Sequence, residues 1–260
     1  MKTCIAVVLL LFAGTCLAQA SPDGGPQTRA AYPESEAAAA WRGLAAGYVR
    51  QAIKDHTLEA DRSLNARVDA VMATVGAAVA AIDTRFAHSS WRAILIKNFG
   101  YGAAAFPGET ILVDATFVRT LQLNDDELAM ILAHEAAHVL AGHASEKLSF
   151  MAEVLGKEKV PTARKALLAF LANDAYAAAY RPTALLQERE ADAVGAAIFF
   201  ATGYDTQRAL GIFDKLADLE TREDRRDQDS HDAAAARKQA VAEVFAELQQ
   251  FHAGRDSKPQ

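Results

Sequence analysis

The sequence predicts a helix-dominated α+β fold with one small β-sheet. Alanine-rich stretches with apolar residues every three to four positions fill most of the 260 residues, the periodicity of amphipathic helices. Two short β-branched runs, 91–96 and 110–113, break that period and read as strands. Hydrophobic residues at 51% and charged residues at 23% suffice for a buried core and exclude a disordered chain. A net charge of −6 and a pI near 5.7 leave no basic footprint, so no nucleic-acid partner is expected.

Residues 1–20 read as a signal peptide: Lys2 gives a positive start, residues 5–12 an unbroken apolar run, and Ala18-Gln19-Ala20 a small-x-small cleavage site. The apolar run is too short to cross a bilayer core of roughly 30 Å as a helix. Cleavage after Ala20 removes both cysteines, Cys4 and Cys16, and one charge, taking the net charge from −6 to −7. No later stretch reaches membrane-spanning length without charges. The expectation is an exported, disulfide-free chain, periplasmic in a bacterial setting. The alternative is a lipid anchor on Cys16, although Ala13-Gly14-Thr15 lacks the usual acceptor pattern.

Residues 21–33, rich in Ser, Pro, Gly and Gln, read as a flexible lead-in to a single domain over 34–252. Helical periodicity covers 36–53 and 63–82. The strands at 91–96 and 110–113 are separated by a stretch with Gly and Pro from Gly100 to Gly108. Asn124 caps a helix over about 125–141, with Asp125, Asp126 and Glu127 in its first turn. Pro161 opens a helix to about Ala179, Thr183 caps the next to Gly203, and Asp205 caps another to Leu219. The charged segment 221–229 reads as a loop, 232–251 as the last helix, and 253–260 as a frayed tail.

The sharpest chemical signal is His134-Glu135-Ala136-Ala137-His138, an H-E-x-x-H within the helix at 125–141. At about 100° per residue the two imidazoles project from one face, within reach of a single Zn²⁺. Glu135 lies beside that face, where a carboxylate can take a proton from the water that a zinc ion activates and hand it to a leaving amine. The wheel around them is apolar, from Met130 to Leu140. Two imidazoles and an acid sunk in such a helix are costly unless paired or bound to metal.

A catalytic zinc site needs a third protein ligand. The extended three-histidine pattern fails, because its last position is Ala144. His143 falls opposite His134 if the helix continues, which makes it a supporting or structural residue. The better third ligand is Glu188, with Asp192 four residues on sharing its face. Asp192 can accept the free N–H of a ligating histidine and so fix its tautomer. Glu190, roughly 200° from Glu188, points elsewhere. Alone, this acidic cluster reads as a solvated helix face; the upstream H-E-x-x-H favours the ligand reading.

These motifs resemble the gluzincin metallopeptidases of family M48, in their soluble, exported branch. Asn98-Phe99, Ala105 to Gly108 and 111–113 are similar to the family's segment before the active-site helix; Asp126 to His143, Glu188 to Gly195, Gly203-Tyr204-Asp205 and Ser230-His231 with Arg237 resemble its later motifs. Residues 100–102 are extra, and Asp232 stands where the family has Pro. The resemblance implies a gluzincin-type domain with the sheet beside the H-E-x-x-H helix and one Zn²⁺ per chain. It implies that Thr110, Ile111, Leu112 and Val113 form the sheet edge on which an extended substrate lies, that Arg237 polarises a carbonyl or stabilises an oxyanion, and that His231 can close the metal's open position. The bland readings of the last two are a solvated Arg and a helix-start His. The expected function is a zinc endopeptidase acting on unfolded or misassembled envelope proteins in quality control. The alternative is a zinc-stabilised, chaperone-like binding module whose site His231 keeps closed.

Overall fold

The computed structural model describes residues 30–223 and 232–256. In chain order the elements are α1 (Glu34–Lys54), α2 (Arg62–Ile82), β1 (Arg92–Ile96), β2 (Ala103–Phe106), β3 (Thr110–Asp114), α3 (Ala115–Thr120), α4 (Asp125–Ala141), α5 (His143–Leu155), α6 (Ala163–Leu171), α7 (Asp174–Thr202), α8 (Thr206–Ala209), α9 (Gly211–Glu223) and α10 (Ala234–Asp256). The fold is α+β and helix-dominated.

The sheet has the order β1-β3-β2. β1 runs parallel to β3 with Ile94 opposite Leu112, and β2 runs antiparallel to β3 with Ala104 opposite Leu112. Side chains alternate across a pleated strand. Ala93, Leu95, Ile111 and Val113 therefore join one core with α2, α4, α7 and α10, through Val71, Leu132, Phe199 and Phe245. Ile96, Phe106 and Leu112 join a second core with α1, α5 and α6, through Trp41, Leu148 and Leu167. A strand covered on both faces needs no polar alternation, and every residue of β3 is buried.

The sheet corrects two expectations. β2 was not legible: Ala103-Ala104-Ala105 has no β-branched residue, and it is a strand because it pairs with β3. The consequence is that 110–113 is the central strand, not the edge. Its backbone groups are engaged on both sides, so Thr110, Ile111, Leu112 and Val113 offer no row of free N–H and C=O groups to a substrate. On β1 the far side is taken by 57–59, through Glu59 N–H to Leu95 O at 3.0 Å and Lys97 N–H to Thr57 O at 2.8 Å. Among the described residues, no strand pairs with the outer side of β2.

Helix boundaries also differ. The helix expected to run from Pro161 to Ala179 stops at Leu171. The next starts at Asp174, where Asn173 Oδ1 accepts the Ala175 N–H at 3.0 Å. Thr183 is therefore inside α7 rather than capping it, and Pro182 is tolerated mid-helix. Pro182 removes one backbone hydrogen bond. Two residues earlier, Tyr180 is buried against Phe150 and Phe170, with ring centroids 5.0 and 6.0 Å apart, which holds the helix in place by tertiary packing. The lead-in does not stay loose to residue 33, because Tyr32 is buried and its hydroxyl donates to Val160 O. The segment expected to be a loop from 221 is helical to Glu223, and the last helix continues to Asp256, into the stretch expected to fray. The signal-peptide expectation at 1–20, and residues 224–231 and 257–260, lie outside the described residues.

The helix pair α4/α7 frames the site, and Gly195 sets its separation. A Cβ on Gly195 would sit 2.8 Å from His134 Cα and 3.0 Å from His134 N, a clash with backbone that only a shift of one helix relieves. Gly195→Ala is accordingly expected to cost about 1–3 kcal/mol by overpacking and to weaken metal binding, because it pushes Glu188 away from His134. Thermal melts with and without zinc check this; an unchanged midpoint in both would contradict the close approach.

Candidate metal centre

α4 is fixed before it carries chemistry. Asn124 and Glu127 form a reciprocal capping box: Glu127 N–H donates to Asn124 Oδ1 at 3.0 Å and Asn124 N–H to Glu127 Oε2 at 2.8 Å. Lys215 Nζ reaches the same Glu127 oxygen at 2.6 Å and ties α9 to the helix start. Most of α4 is buried, so its two histidines have little freedom.

One turn apart on α4, His134 and His138 bring their Nε2 atoms to 3.1 Å. From α7, Glu188 places Oε2 3.2 Å from His134 Nε2 and Oε1 3.5 Å from His138 Nε2. These three ligand atoms lie within 4.8 Å of one another. Donors bonded to Zn²⁺ at ~2.0–2.1 Å in a tetrahedron sit roughly 3.4 Å apart, so the donor set fits a zinc ion in both chemistry and spacing. Two imidazole nitrogens facing each other across an acid are otherwise a poor arrangement, since each lone pair needs a proton or a cation.

Behind the ligands stand two separate supports. Asp192, four residues after Glu188, accepts from His134 Nδ1 at 3.0 Å. Arg237 on α10 then grips Asp192 with both prongs, Nε to Oδ2 and Nη2 to Oδ1, each at 2.8 Å, the strong fork-to-carboxylate geometry. Two of its N–H groups hold Asp192, so Arg237 supports His134 through an intermediary, and it also lines the cavity onto which Glu135 opens. The second support is at His138, whose Nδ1 is 2.8 Å from His143 Nδ1, with His143 Nε2 3.3 Å from Glu190 Oε2. A continuing helix would have put His143 on the far side. Gly142, at φ +77°, ends α4 in the left-handed region, and the chain turns back to start α5 at His143. Glu190 points away from the three ligands, as its spacing indicates, but onto His143. The sequence reading missed it because that contact depends on where α5 packs. His231 lies outside the described residues.

Glu135, half-buried, faces a cavity of about 420 Å³ shared with His134 and Arg237 and walled by Phe117, Ile131, Phe213 and Leu216. Gly102 and Ala103, at the start of β2, also line it. The free edge of the sheet and the candidate base thus open on the same space.

The electrostatics favour binding a cation. Burial opposes charging Asp192, but hydrogen bonds from Arg237 and His134 outweigh it and hold its pKa at about 2. Burial likewise opposes charging His134, while the Asp192 and Glu188 carboxylates lift its pKa to about 9. His138 moves down, chiefly through burial, with His134 adding to the effect. The metal-free site therefore carries a proton on His134 at neutral pH, and that proton must leave when a metal binds. A raised pKa means that affinity improves as pH rises and levels off near about 9. Zinc titration at pH 7 should release about one proton, with affinity climbing about tenfold per pH unit toward that plateau. Calorimetry in buffers of different ionisation enthalpy reads this directly; binding without proton release would contradict it.

The model of peptidase family M48 matches residues 62–252, a span that holds every residue of the cluster and excludes α1. No curated protein matches the chain.

Proposed function

Because the chain belongs to peptidase family M48, we propose that it is a zinc-dependent endopeptidase acting on extended polypeptides. The observation that carries this reading is the convergence of His134, His138 and Glu188 beside a carboxylate, Glu135, that opens on an apolar cavity. When bound, zinc supplies a Lewis acid that makes water a nucleophile at neutral pH and polarises a carbonyl. Glu135 takes the proton from the attacking water and delivers it to the leaving amine as the peptide bond breaks. Asp192 holds His134 so that Nε2 presents a lone pair, and Arg237 keeps Asp192 ionised and aimed.

The substrate main chain pairs with the outer side of β2, a mode that reads backbone rather than side chains. The cavity beside Glu135 takes one apolar side chain next to the scissile bond. Broad specificity with one apolar preference follows, and only a chain free to become a strand can enter. Unfolded or misassembled proteins fit that requirement. The leader at 1–20 supports export to the periplasm, where such envelope proteins would be cleared, and mass spectrometry of the mature chain should find Ser21 first. An unfolded casein-type protein should be cleaved by the purified chain, protected by 1,10-phenanthroline, and cleaved again once zinc is restored. Cleavage that persists in metal-stripped protein would sink the zinc reading.

A further inference from the structure

The two histidines are supported unequally. His134 leans directly on a carboxylate, Asp192, at 3.0 Å. Among the described residues no carboxylate meets His138 Nδ1; a second imidazole, His143, intervenes at 2.8 Å and passes the contact to Glu190 at 3.3 Å. We propose that His143 and Glu190 form a directional hydrogen-bond relay that positions His138 for metal binding, resting on the zinc site proposed above.

The direction follows from the donor inventory. His138 offers Nε2 to the shared site with His134 and Glu188, so for ligation Nε2 must be bare and the ring proton must sit on Nδ1. That proton can be donated only if His143 Nδ1 is an acceptor. His143 then carries its own proton on Nε2, where Glu190 Oε2 accepts it. Each link has one polarity, and the carboxylate at the end fixes it. His143 is buried, with only 5% of its side chain exposed, while Glu190 is 51% exposed. A single ring must therefore accept at one end and donate at the other inside the protein, which a hydrocarbon side chain cannot do. The relay also explains why α4 ends where it does: without the left-handed turn at Gly142, His143 could not return to His138. His143 and Glu190 are positioning residues, since neither reaches the three ligand atoms.

The test measures zinc affinity by chelator competition on the full chain, with folding of the metal-free protein followed by circular dichroism. His143→Ala and Glu190→Ala should each weaken zinc binding, by roughly 10–100-fold for the more severe, the range for loss of such supporting contacts. The pair should be non-additive, the double variant binding no more weakly than His143→Ala. His143→Gln, whose amide can accept and donate, should recover most of the loss. In zinc-loaded wild type, ¹⁵N-histidine NMR should show His138 protonated at Nδ1. If His143→Ala does not fold, Glu190→Ala, at a partly exposed position, decides alone. Affinity unchanged in Glu190→Ala, or additive losses, would each overturn the relay while leaving the zinc site intact; His138 protonated at Nε2 would overturn the relay together with ligation through that atom. A wild type that binds no zinc would overturn both.

Discussion

Glu135→Gln should yield a folded chain that still binds one zinc and no longer cleaves polypeptides. Gln matches Glu in shape but cannot take up a proton, so the substitution separates chemistry from architecture. Positioned acid–base groups contribute ~10²–10⁴-fold to rate, and in the proposed mechanism one residue both accepts the proton of water and returns it to the amine. A loss at or beyond the upper end of that range is therefore expected in kcat/KM. Metal content should not change, because His134, His138 and Glu188 are untouched and Glu135 faces the cavity instead. Proteolysis of an unfolded protein alongside zinc analysis checks both halves. Normal cleavage would remove Glu135 from the mechanism; lost zinc would mean that it is a ligand.

The largest effect on stability is expected at Arg237→Ala. Asp192 is 4% exposed, and the substitution strips its carboxylate of both guanidinium hydrogen bonds at once. Removing one partner of a buried pair costs about 3–5 kcal/mol, because the other charge stays behind in the interior. The sign with pH follows from the depressed pKa of Asp192. In wild type its contribution is present above the ordinary carboxylate range and is lost as pH falls toward about 2. In Arg237→Ala the part of that contribution that comes from Arg237 is gone at neutral pH, and only the His134 hydrogen bond remains. Adding Asp192→Asn removes the stranded charge, so the double variant should be less destabilised than Arg237→Ala alone. Urea unfolding of the four proteins gives the cycle. A negligible cost for Arg237→Ala would mean that its grip on Asp192 is not formed in solution.

What the sequence revealed of this site is the part written in local periodicity. Asn124 with Glu127 announces α4, the spacing of His134 and His138 puts them on one face, and the spacing of Glu188 and Asp192 does the same on α7. What it hid depends on distant partners. Ala103–Phe106 is a strand only through β3, and its position makes 110–113 central rather than marginal. Gly142 could be read as an interruption, but not as the turn that brings His143 back to His138. Pro182 and Thr183 imitate a helix start and are overruled by the packing of Tyr180. Arg237 is 45 residues from Asp192 in the chain, and no pattern of spacing pairs them.

The claim on which all of this stands is that donors from α4 and α7 hold one metal ion together. Its most direct test is the zinc content and affinity of the full chain beside Glu188→Ala. Wild type should contain one zinc per chain, and Glu188→Ala should be folded yet lose the ion to a chelator that wild type resists. A Glu188→Ala protein that keeps its zinc with unchanged affinity would contradict the account.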